Sequence, residues 1–279
     1  MIALGHIAYA NCFPVHGPIL LGEEPFEGEI VSGEPTRLNR LLAAGRVQIA
    51  PCSSIEYARH ASRYRIVPDL AIASHGDVRS ILLASRVEPD RLGHARVGLP
   101  TASASSSCLA EILLTRAFGA TPELGWFDQS AEDPFGRFDA ALFIGDVALG
   151  KRAELGEGLC WTDLGGAWTA WTGLPFVYAL WQVHAQPGLE EALREAGAAL
   201  HRSRARALAD LEALAARYSE PFPLGRDALA GYWAELRYTL DRDAREGLAA
   251  FWTMAAELGH VRRAPALRYL ELEPSAVSV

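Results

Sequence analysis

The chain has 279 residues, of which 50% are hydrophobic and 22% are charged, and its formal net charge is −8. This composition is typical of a soluble globular protein with one large domain or two medium ones, and an acidic chain without a basic stripe argues against a nucleic-acid partner. No apolar run reaches the ~18 residues that suggest a membrane-spanning helix, so we expect no membrane span.

Further features of the sequence bear on cofactors, disulfides and cellular location. They are the cysteines, the histidines and the N-terminal segment. Cys12, Cys52, Cys108 and Cys160 are far apart, and the histidines show no zinc-binding pattern. Without ligand clusters or a nucleotide-binding loop, the sequence predicts neither a metal nor an organic cofactor. The first residues show no basic segment and no cleavage pattern, which predicts a cytoplasmic protein with free thiols.

The first third of the chain alternates extended and helical segments. Apolar runs predict strands over residues 2–7, 29–32, 47–50, 66–73 and 78–84. Pro35 in a first turn and Gly45 at the end delimit a predicted helix between the second and third strands. Ser53 and Ser54 follow the third strand and are predicted to cap another helix.

The alternation restarts after Pro89. Strands are predicted over residues 95–99, 124–127 and 140–144, and a helix over residues 109–118. Beyond residue 187, apolar spacing predicts one or two amphipathic helices over 189–218 and further helices over 229–236 and 248–258. This helical C-terminal region contains no motif that suggests chemistry.

The order of the elements predicts the fold class. Strands that alternate with helices indicate an α/β protein with mixed, mainly parallel sheets and helices on both faces. We expect two lobes: residues 1–84 form the first part of lobe one, residues 85–176 form lobe two, and residues 177–279 return to lobe one with the helical C-terminal region. The crossings are predicted over 78–85 and 175–183. In such a fold, the carboxyl ends of the strands face a ligand-binding cleft.

A hydroxyl-rich segment separates the strand that ends at residue 99 from the helix that follows. Thr101, Ser103, Ser105, Ser106 and Ser107 are predicted to form a turn that opens this helix. Free N–H groups and hydroxyls at a helix N-terminus favour a carboxylate or phosphate. The alternative is a capped helix with a turn of small residues.

Other polar residues have both a functional and a structural interpretation. Asn11, after the first strand, either forms a turn or points a hydrogen-bonding group into the cleft. Ser80 lies in an apolar predicted strand, where a buried core hydroxyl is the alternative to a site residue. His75 and Asp77 are either an acid/base pair or a surface turn, and Asp146 is either a site residue or a helix cap.

Eight different short motifs follow one another along nearly the whole chain. They are Asn11-Cys-Phe-Pro14, Gly33-Glu-Pro-Thr-Arg-Leu-Asn39, Ala50-Pro-Cys-Ser-Ser-Ile-Glu-Tyr57, Val78-Arg-Ser80, Ser103-Ala-Ser-Ser106, Ile144-Gly-Asp-Val-Ala-Leu149, Asp163-Leu-Gly165 with Trp168, and Thr172-Gly-Leu-Pro-Phe-Val177 with Trp181. Together they resemble the chorismate dehydratases of the futalosine route to menaquinone.

The resemblance implies a fold, a reaction and a set of site residues. The fold is the two-lobed periplasmic-binding-protein type II fold, and the reaction converts chorismate to 3-(1-carboxyvinyloxy)benzoate and water without a cofactor. Asn11 and Ser80 are then the expected catalytic residues, at the reacting portion of chorismate. The expected substrate-binding residues are Ser53, Ser54, Ser103, Ser105, Ser106, Gly145 and Asp146.

The chain departs from the family pattern at two positions, and the motifs contain no obvious strong base. Gln48 stands where the family usually has an acidic residue, and Ser105 stands where it usually has threonine. The reaction then suggests substrate assistance, in which the carboxylate of the enolpyruvyl side chain accepts the proton.

Two other functions fit the same fold. The sister family, the 1,4-dihydroxy-6-naphthoate synthases, is expected to carry a cleft histidine as base, and His75 is the nearest candidate here. The second alternative is a non-catalytic solute-binding protein for a small carboxylate.

Overall fold

The computed structural model describes residues 1–272, which contain ten strands and ten α-helices. The strands are β1 Ile2–His6, β2 Gly28–Ser32, β3 Ile49–Ser53, β4 Arg65–Ser74, β5 Ile81–Ser85, β6 Arg96–Pro100, β7 Glu123–Phe127, β8 Ala140–Ile144, β9 Cys160–Asp163 and β10 Phe176–Val183. The helices are α1 Phe13–Leu20, α2 Pro35–Ala43, α3 Ser54–His60, α4 Ser105–Ile112, α5 Gly145–Leu155, α6 Leu164–Thr172, α7 Glu190–Ala209, α8 Leu211–Tyr218, α9 Arg226–Glu235 and α10 Arg242–Glu257.

The strands form two mixed sheets of five strands each. The first has the order β2-β1-β3-β10-β4, and the second has the order β7-β6-β8-β5-β9. In the first sheet, β10 runs antiparallel to both of its neighbours, and β5 does the same in the second sheet. The other pairs are parallel. The predicted α/β class with mixed sheets is thereby confirmed.

The segment that joins the two sheets differs from the prediction. β5 begins at Ile81, so Ser80 lies outside the strand in which it was predicted. Arg79 has a φ of 62°, a left-handed conformation that few non-glycine residues adopt and that breaks the extended run. The Asp163 carboxylate stabilises this bend by accepting the N–H groups of Val78 and Arg79.

The position of β5 also bears on the predicted lobes. Strand β5 pairs with β8 and β9, so a boundary at residue 84 would pass through a strand of the second sheet. Strand β10, in contrast, lies wholly in the first sheet. The division into lobes stays a prediction, and the sheets favour crossings near residues 75–80 and 173–175.

Five elements of the structure, α1, α5, β9, α6 and β10, were not predicted from the sequence as a helix or a strand. Helix α1 contains Pro14 and Pro18, and almost all of its side chains are buried, so it shows no amphipathic spacing. β9 and α6 meet at Asp163, whose carboxylate caps α6 by accepting the N–H groups of Gly165 and Gly166. The other elements lie within a few residues of the predicted ones.

The C-terminal region packs against the first sheet. The indole N–H of Trp252, on α10, donates to the carbonyl of Ser54 at 3.2 Å. Ser203 Oγ, on α7, donates to the carbonyl of Val15 at 2.6 Å. The segment beyond α10 returns to β4, where the N–H of Leu270 donates to the carbonyl of Ile66. None of the helices in residues 1–272 has the length and hydropathy that crossing a membrane requires.

Candidate active site

A cleft of about 610 Å³, including the open space at its mouth, lies between the two sheets. Its walls come from the segments that follow β1, β2, β6 and β8 and from the adjoining ends of β3, β4, β5 and β10. These ends meet there because the parallel strands of each sheet point the same way. The order of the elements therefore concentrates the sequence motifs around one cleft.

Most of the predicted site residues line this cleft, and the rest lie beside it. Those in the wall are Asn11, Ser53, Ser103, Ser105, Ser106 and Gly145. Those behind the wall are Ser54, Ser80 and Asp146, each next in sequence to a residue that lines the cleft. The structure thus brings together side chains that are up to 135 positions apart in the chain, from Asn11 to Asp146.

The helix at the hydroxyl-rich segment begins earlier than predicted. Helix α4 starts at Ser105, so Ser105 and Ser106 lie in its first turn rather than in a preceding turn. Ser103 supplies the cap, since its Oγ accepts the N–H of Ser106 at 3.2 Å. Its carbonyl also accepts a hydrogen bond from Ser107 Oγ at 2.9 Å. The N-terminal end of α4 forms one wall of the cleft.

The hydroxyl of Ser105 is used within the protein. Its Oγ accepts the N–H of Ile55 at 3.0 Å and lies 3.0 Å from Ser54 Oγ. Ser54 Oγ donates its single proton to the carbonyl of Val177 at 2.7 Å, so the proton between the two serines comes from Ser105. Ser54 and Ser105 thus join α3, α4 and β10, and the hydroxyls left to donate to a ligand at this end of the cleft are those of Ser103 and Ser106.

Two buried polar atoms in the cleft wall have no hydrogen-bond partner within residues 1–272. They are Ser53 Oγ, at the end of β3, and Asn39 Oδ1, on α2. Buried polar atoms are nearly always paired, so both atoms are candidates for contact with a bound ligand. Asn39 belongs to one of the family motifs, but its type and spacing alone gave no sign that it lines the site.

Ser80 is completely buried directly behind the wall. Its Oγ accepts the phenolic proton of Tyr232 at 2.8 Å, and its carbonyl accepts the N–H of Gly145 at 2.8 Å. The next residue, Ile81, lines the cleft. Contact between the Ser80 hydroxyl and a ligand therefore requires a local opening of the wall at Gly145 or Ile81.

Gly145 and Asp146 connect the second sheet to the segment after β1. Asp146 Oδ1 accepts the N–H of Ala10 at 2.9 Å, and burial raises the pKa of this carboxyl from 3.8 to about 6. Gly145 has a φ of 59°, and a Cβ there would lie 2.9 Å from the ring of Tyr9. The absence of a side chain at Gly145 thus lets Tyr9 pack across the cleft.

The candidate acid/base pair lies outside the cleft. His75 and Asp77 are exposed and do not line it. Two buried histidines form a separate network, in which the indole N–H of Trp181 donates to His16 Nε2 at 2.9 Å. His16 Nδ1 therefore carries the proton and donates to His6 Nδ1 at 2.8 Å, and burial lowers the pKa of His6 to about 4. Neither histidine lines the cleft.

The structure explains the glutamine at the position that is usually acidic. Gln48 Oε1 accepts the N–H of Ala3 at 2.8 Å, and its Nε2 donates to the carbonyl of Gly45 at 2.7 Å. Because an amide both accepts and donates, Gln48 satisfies both backbone groups where β3 begins beside β1. It does not line the cleft, so the departure concerns the fold rather than the site.

Comparison with known proteins finds a matching family and similar relatives over most of the chain. The family model described as "Menaquinone biosynthesis" matches residues 2–257. A chorismate dehydratase of Thermus thermophilus is 32% identical over 262 residues, which cover 89% of this chain and 93% of that protein. A chorismate dehydratase of Campylobacter jejuni is 29% identical over 181 residues, which cover 63% of this chain and 64% of that protein.

Solved structures show the same fold at lower identity. The protein AF1704 from Archaeoglobus fulgidus has a TM-score of 0.72 at 20% identity, covering 93% of this chain and 98% of its own. The periplasmic aliphatic sulphonate-binding protein SsuA of Escherichia coli has a TM-score of 0.63 at 14% identity, covering 100% of this chain and 96% of its own. The fold is thus that of periplasmic binding proteins, and the match over residues 2–257 shows that this chain belongs to the menaquinone-biosynthesis family.

Proposed function

We propose that this chain is a chorismate dehydratase, which converts chorismate to 3-(1-carboxyvinyloxy)benzoate and water. The observation that carries the proposal is the 32% identity, over 89% of the chain, to a protein named chorismate dehydratase. The clustering of the family motifs around one cleft supports it. The family's biosynthetic role also supports a cytoplasmic location, which cell fractionation would test.

The chemistry of the cleft fits a reaction that needs little from a protein base. Within residues 1–272, the lining residues include no Asp, Glu, His, Lys or Arg. Cys12 lines the cleft, but burial raises the pKa of its thiol, which stays protonated. Loss of the C3 proton and the C4 hydroxyl makes the ring aromatic, so the reaction is strongly downhill once the C–H bond is broken.

The substrate supplies the base in this proposal. The carboxylate of the enolpyruvyl side chain takes the C3 proton, the C–H electron pair becomes a ring double bond, and the C4–O bond breaks. The departing hydroxyl receives the proton that the carboxylate took from C3, directly or relayed through the Ser80 hydroxyl, and leaves as water, which restores the side-chain carboxylate. The protein contributes orientation and electrostatic stabilisation. Asn11 would hydrogen-bond the reacting portion of the molecule, and Ser80 would donate to the departing hydroxyl once the wall has opened at Gly145 or Ile81.

Neutral donors would bind the carboxylates of chorismate. Without a cationic side chain in the described lining, the N-terminal ends of α2, α4 and α5, whose first residues Pro35, Ser105 and Gly145 line the cleft, supply its positive potential. Ser106 adds a hydroxyl donor at the start of α4. Ser53 Oγ and Asn39 Oδ1 would find partners in the polar groups of the substrate.

Incubation of the purified protein with chorismate, followed by mass spectrometry, tests the proposal. We expect a product that is lighter than chorismate by one water and has the ultraviolet spectrum of a substituted benzoate. Recovery of unchanged chorismate would contradict the proposal. If the protein also bound chorismate without converting it, the solute-binding alternative would be favoured.

A further inference from the structure

Helix α9 contacts both segments to which the proposed function assigns catalysis. Tyr232 and Trp233 are adjacent on this helix and are buried. The phenol of Tyr232 donates to Ser80 Oγ at 2.8 Å, and the indole N–H of Trp233 donates to the carbonyl of Ala10 at 2.7 Å. Ala10 directly precedes Asn11. One turn of a helix without any recognised motif therefore fixes the backbone beside Asn11 and the side chain of Ser80.

The hydrogen bond to Ser80 has a defined direction. Burial raises the pKa of Tyr232, so the phenol keeps its proton and acts as the donor. Ser80 Oγ accepts this proton and must direct its own proton elsewhere. A hydroxyl that accepts a hydrogen bond is also a stronger donor, because consecutive hydrogen bonds polarise one another.

We infer that Tyr232 is a positioning residue, which orients the Ser80 hydroxyl as a donor toward the departing C4 hydroxyl of chorismate. The inference rests on the proposed function, because it needs Ser80 to act on the substrate after the wall has opened at Gly145 or Ile81. Tyr232 itself lies behind Ser80 and does not line the cleft. Its contribution is to rate rather than to substrate affinity, since it changes only which way the Ser80 proton points.

The chain offers a matched control for this inference. Tyr238 is also buried in the C-terminal region, and its hydroxyl has no hydrogen-bond partner within residues 1–272. Tyr238→Phe therefore removes the same chemical group as Tyr232→Phe without removing a contact to Ser80. Both changes keep the aromatic ring and its packing.

The experiment measures kcat, KM and melting temperature for Tyr232→Phe, Ser80→Ala, the double variant and Tyr238→Phe. Loss of one neutral hydrogen bond predicts a decrease in kcat of about fivefold for Tyr232→Phe, with KM changed by less than about twofold. Ser80→Ala is expected to be slower still, and the double variant should match it, because Tyr232 acts through Ser80. Tyr238→Phe should have the kcat of the unchanged protein.

The results that would contradict the role of Tyr232 can be told apart from those that would contradict the proposed function. A wild-type kcat in Tyr232→Phe beside a slow Ser80→Ala would overturn the positioning role alone, as would a double variant whose loss is the product of the single losses. A wild-type kcat in Ser80→Ala would overturn both this inference and the role proposed for Ser80. A wild-type protein that does not convert chorismate would overturn the proposed function, and the inference with it.

Discussion

At the scale of single residues, the hydrogen bonds of the serines in the cleft wall show different roles for serines that look equivalent in the sequence. Ser105 satisfies the N–H of Ile55 and donates to Ser54, whereas Ser106 keeps a hydroxyl at the cleft. Two neighbouring serines thus have different tasks. The first stabilises the junction of α3 and α4, and the second remains for a ligand.

Alanine substitutions test this division. Ser106→Ala should lower kcat/KM by about tenfold to a hundredfold, the effect of losing a hydrogen bond of ~1.5–3 kcal/mol to a carboxylate, with little change in melting temperature. Ser105→Ala should instead lower the melting temperature, because it leaves the buried N–H of Ile55 without an acceptor, at a cost of about 1–3 kcal/mol. Kinetics and thermal unfolding of both variants would reveal the reverse pattern if the assignment is wrong.

The raised pKa of Asp146 predicts that the free energy of unfolding depends on pH. Its pKa is about 6 in the folded protein against 3.8 as the ordinary value, so the folded state binds more protons between these values. Stability from this group is complete below pH 3.8 and falls as the pH rises through 6. At ~1.4 kcal/mol per pKa unit, the total loss is at most ~3 kcal/mol.

The neutral variant Asp146→Asn keeps an oxygen for the N–H of Ala10 and does not titrate. Thermal unfolding from pH 4 to pH 7 should therefore show this variant gaining stability relative to the unchanged protein. Parallel curves for the two proteins would show that the Asp146 carboxyl titrates as an ordinary exposed group.

At the scale of elements, Asp163 connects β9, α6 and the bend before β5. Its two oxygens accept the N–H groups of Val78, Arg79, Gly165 and Gly166. The same carboxylate therefore caps a helix and fixes the segment that places Ser80.

Asp163→Asn tests this double role. The amide group replaces one acceptor by a donor, so at least one of the N–H groups loses its partner. We expect a stability loss of about 1–3 kcal/mol and a lower kcat, since the bend before Ser80 is no longer held. Denaturant unfolding and kinetics would measure both, and an unchanged kcat in a clearly destabilised variant would contradict the link to Ser80.

The elements that could be predicted from sequence are those whose pattern is local. Apolar runs identified β1 and β8, and the proline and glycine signals identified α2. Helix α1 could not be predicted, because burial on all sides removes the amphipathic spacing on which such a prediction depends. β5 was predicted to begin too early, because the left-handed Arg79 depends on the distant Asp163.

At the scale of the whole molecule, the sequence motifs predicted where the cleft lies. They did not predict which polar groups in its wall are hydrogen-bonded within the protein and which remain available to a ligand. The two-lobed architecture followed from the order of strands and helices, and the family resemblance supplied Asn11 and Ser80. The lack of a hydrogen-bond partner for Asn39 Oδ1 within residues 1–272 and the contact from Tyr232 to Ser80 both depend on three-dimensional packing. No local pattern carries that information.

In the proposed reaction, the cleft orients chorismate for loss of water without a strong protein base. The most direct measurement is kcat of Asn11→Ala, with chorismate affinity and melting temperature measured on the same preparation. We expect kcat to fall by about tenfold or more while affinity changes much less, because contacts in the transition state are lost, and the melting temperature to change little. A near-normal kcat with a large decrease in melting temperature would contradict this expectation and would make Asn11 a turn-forming residue only.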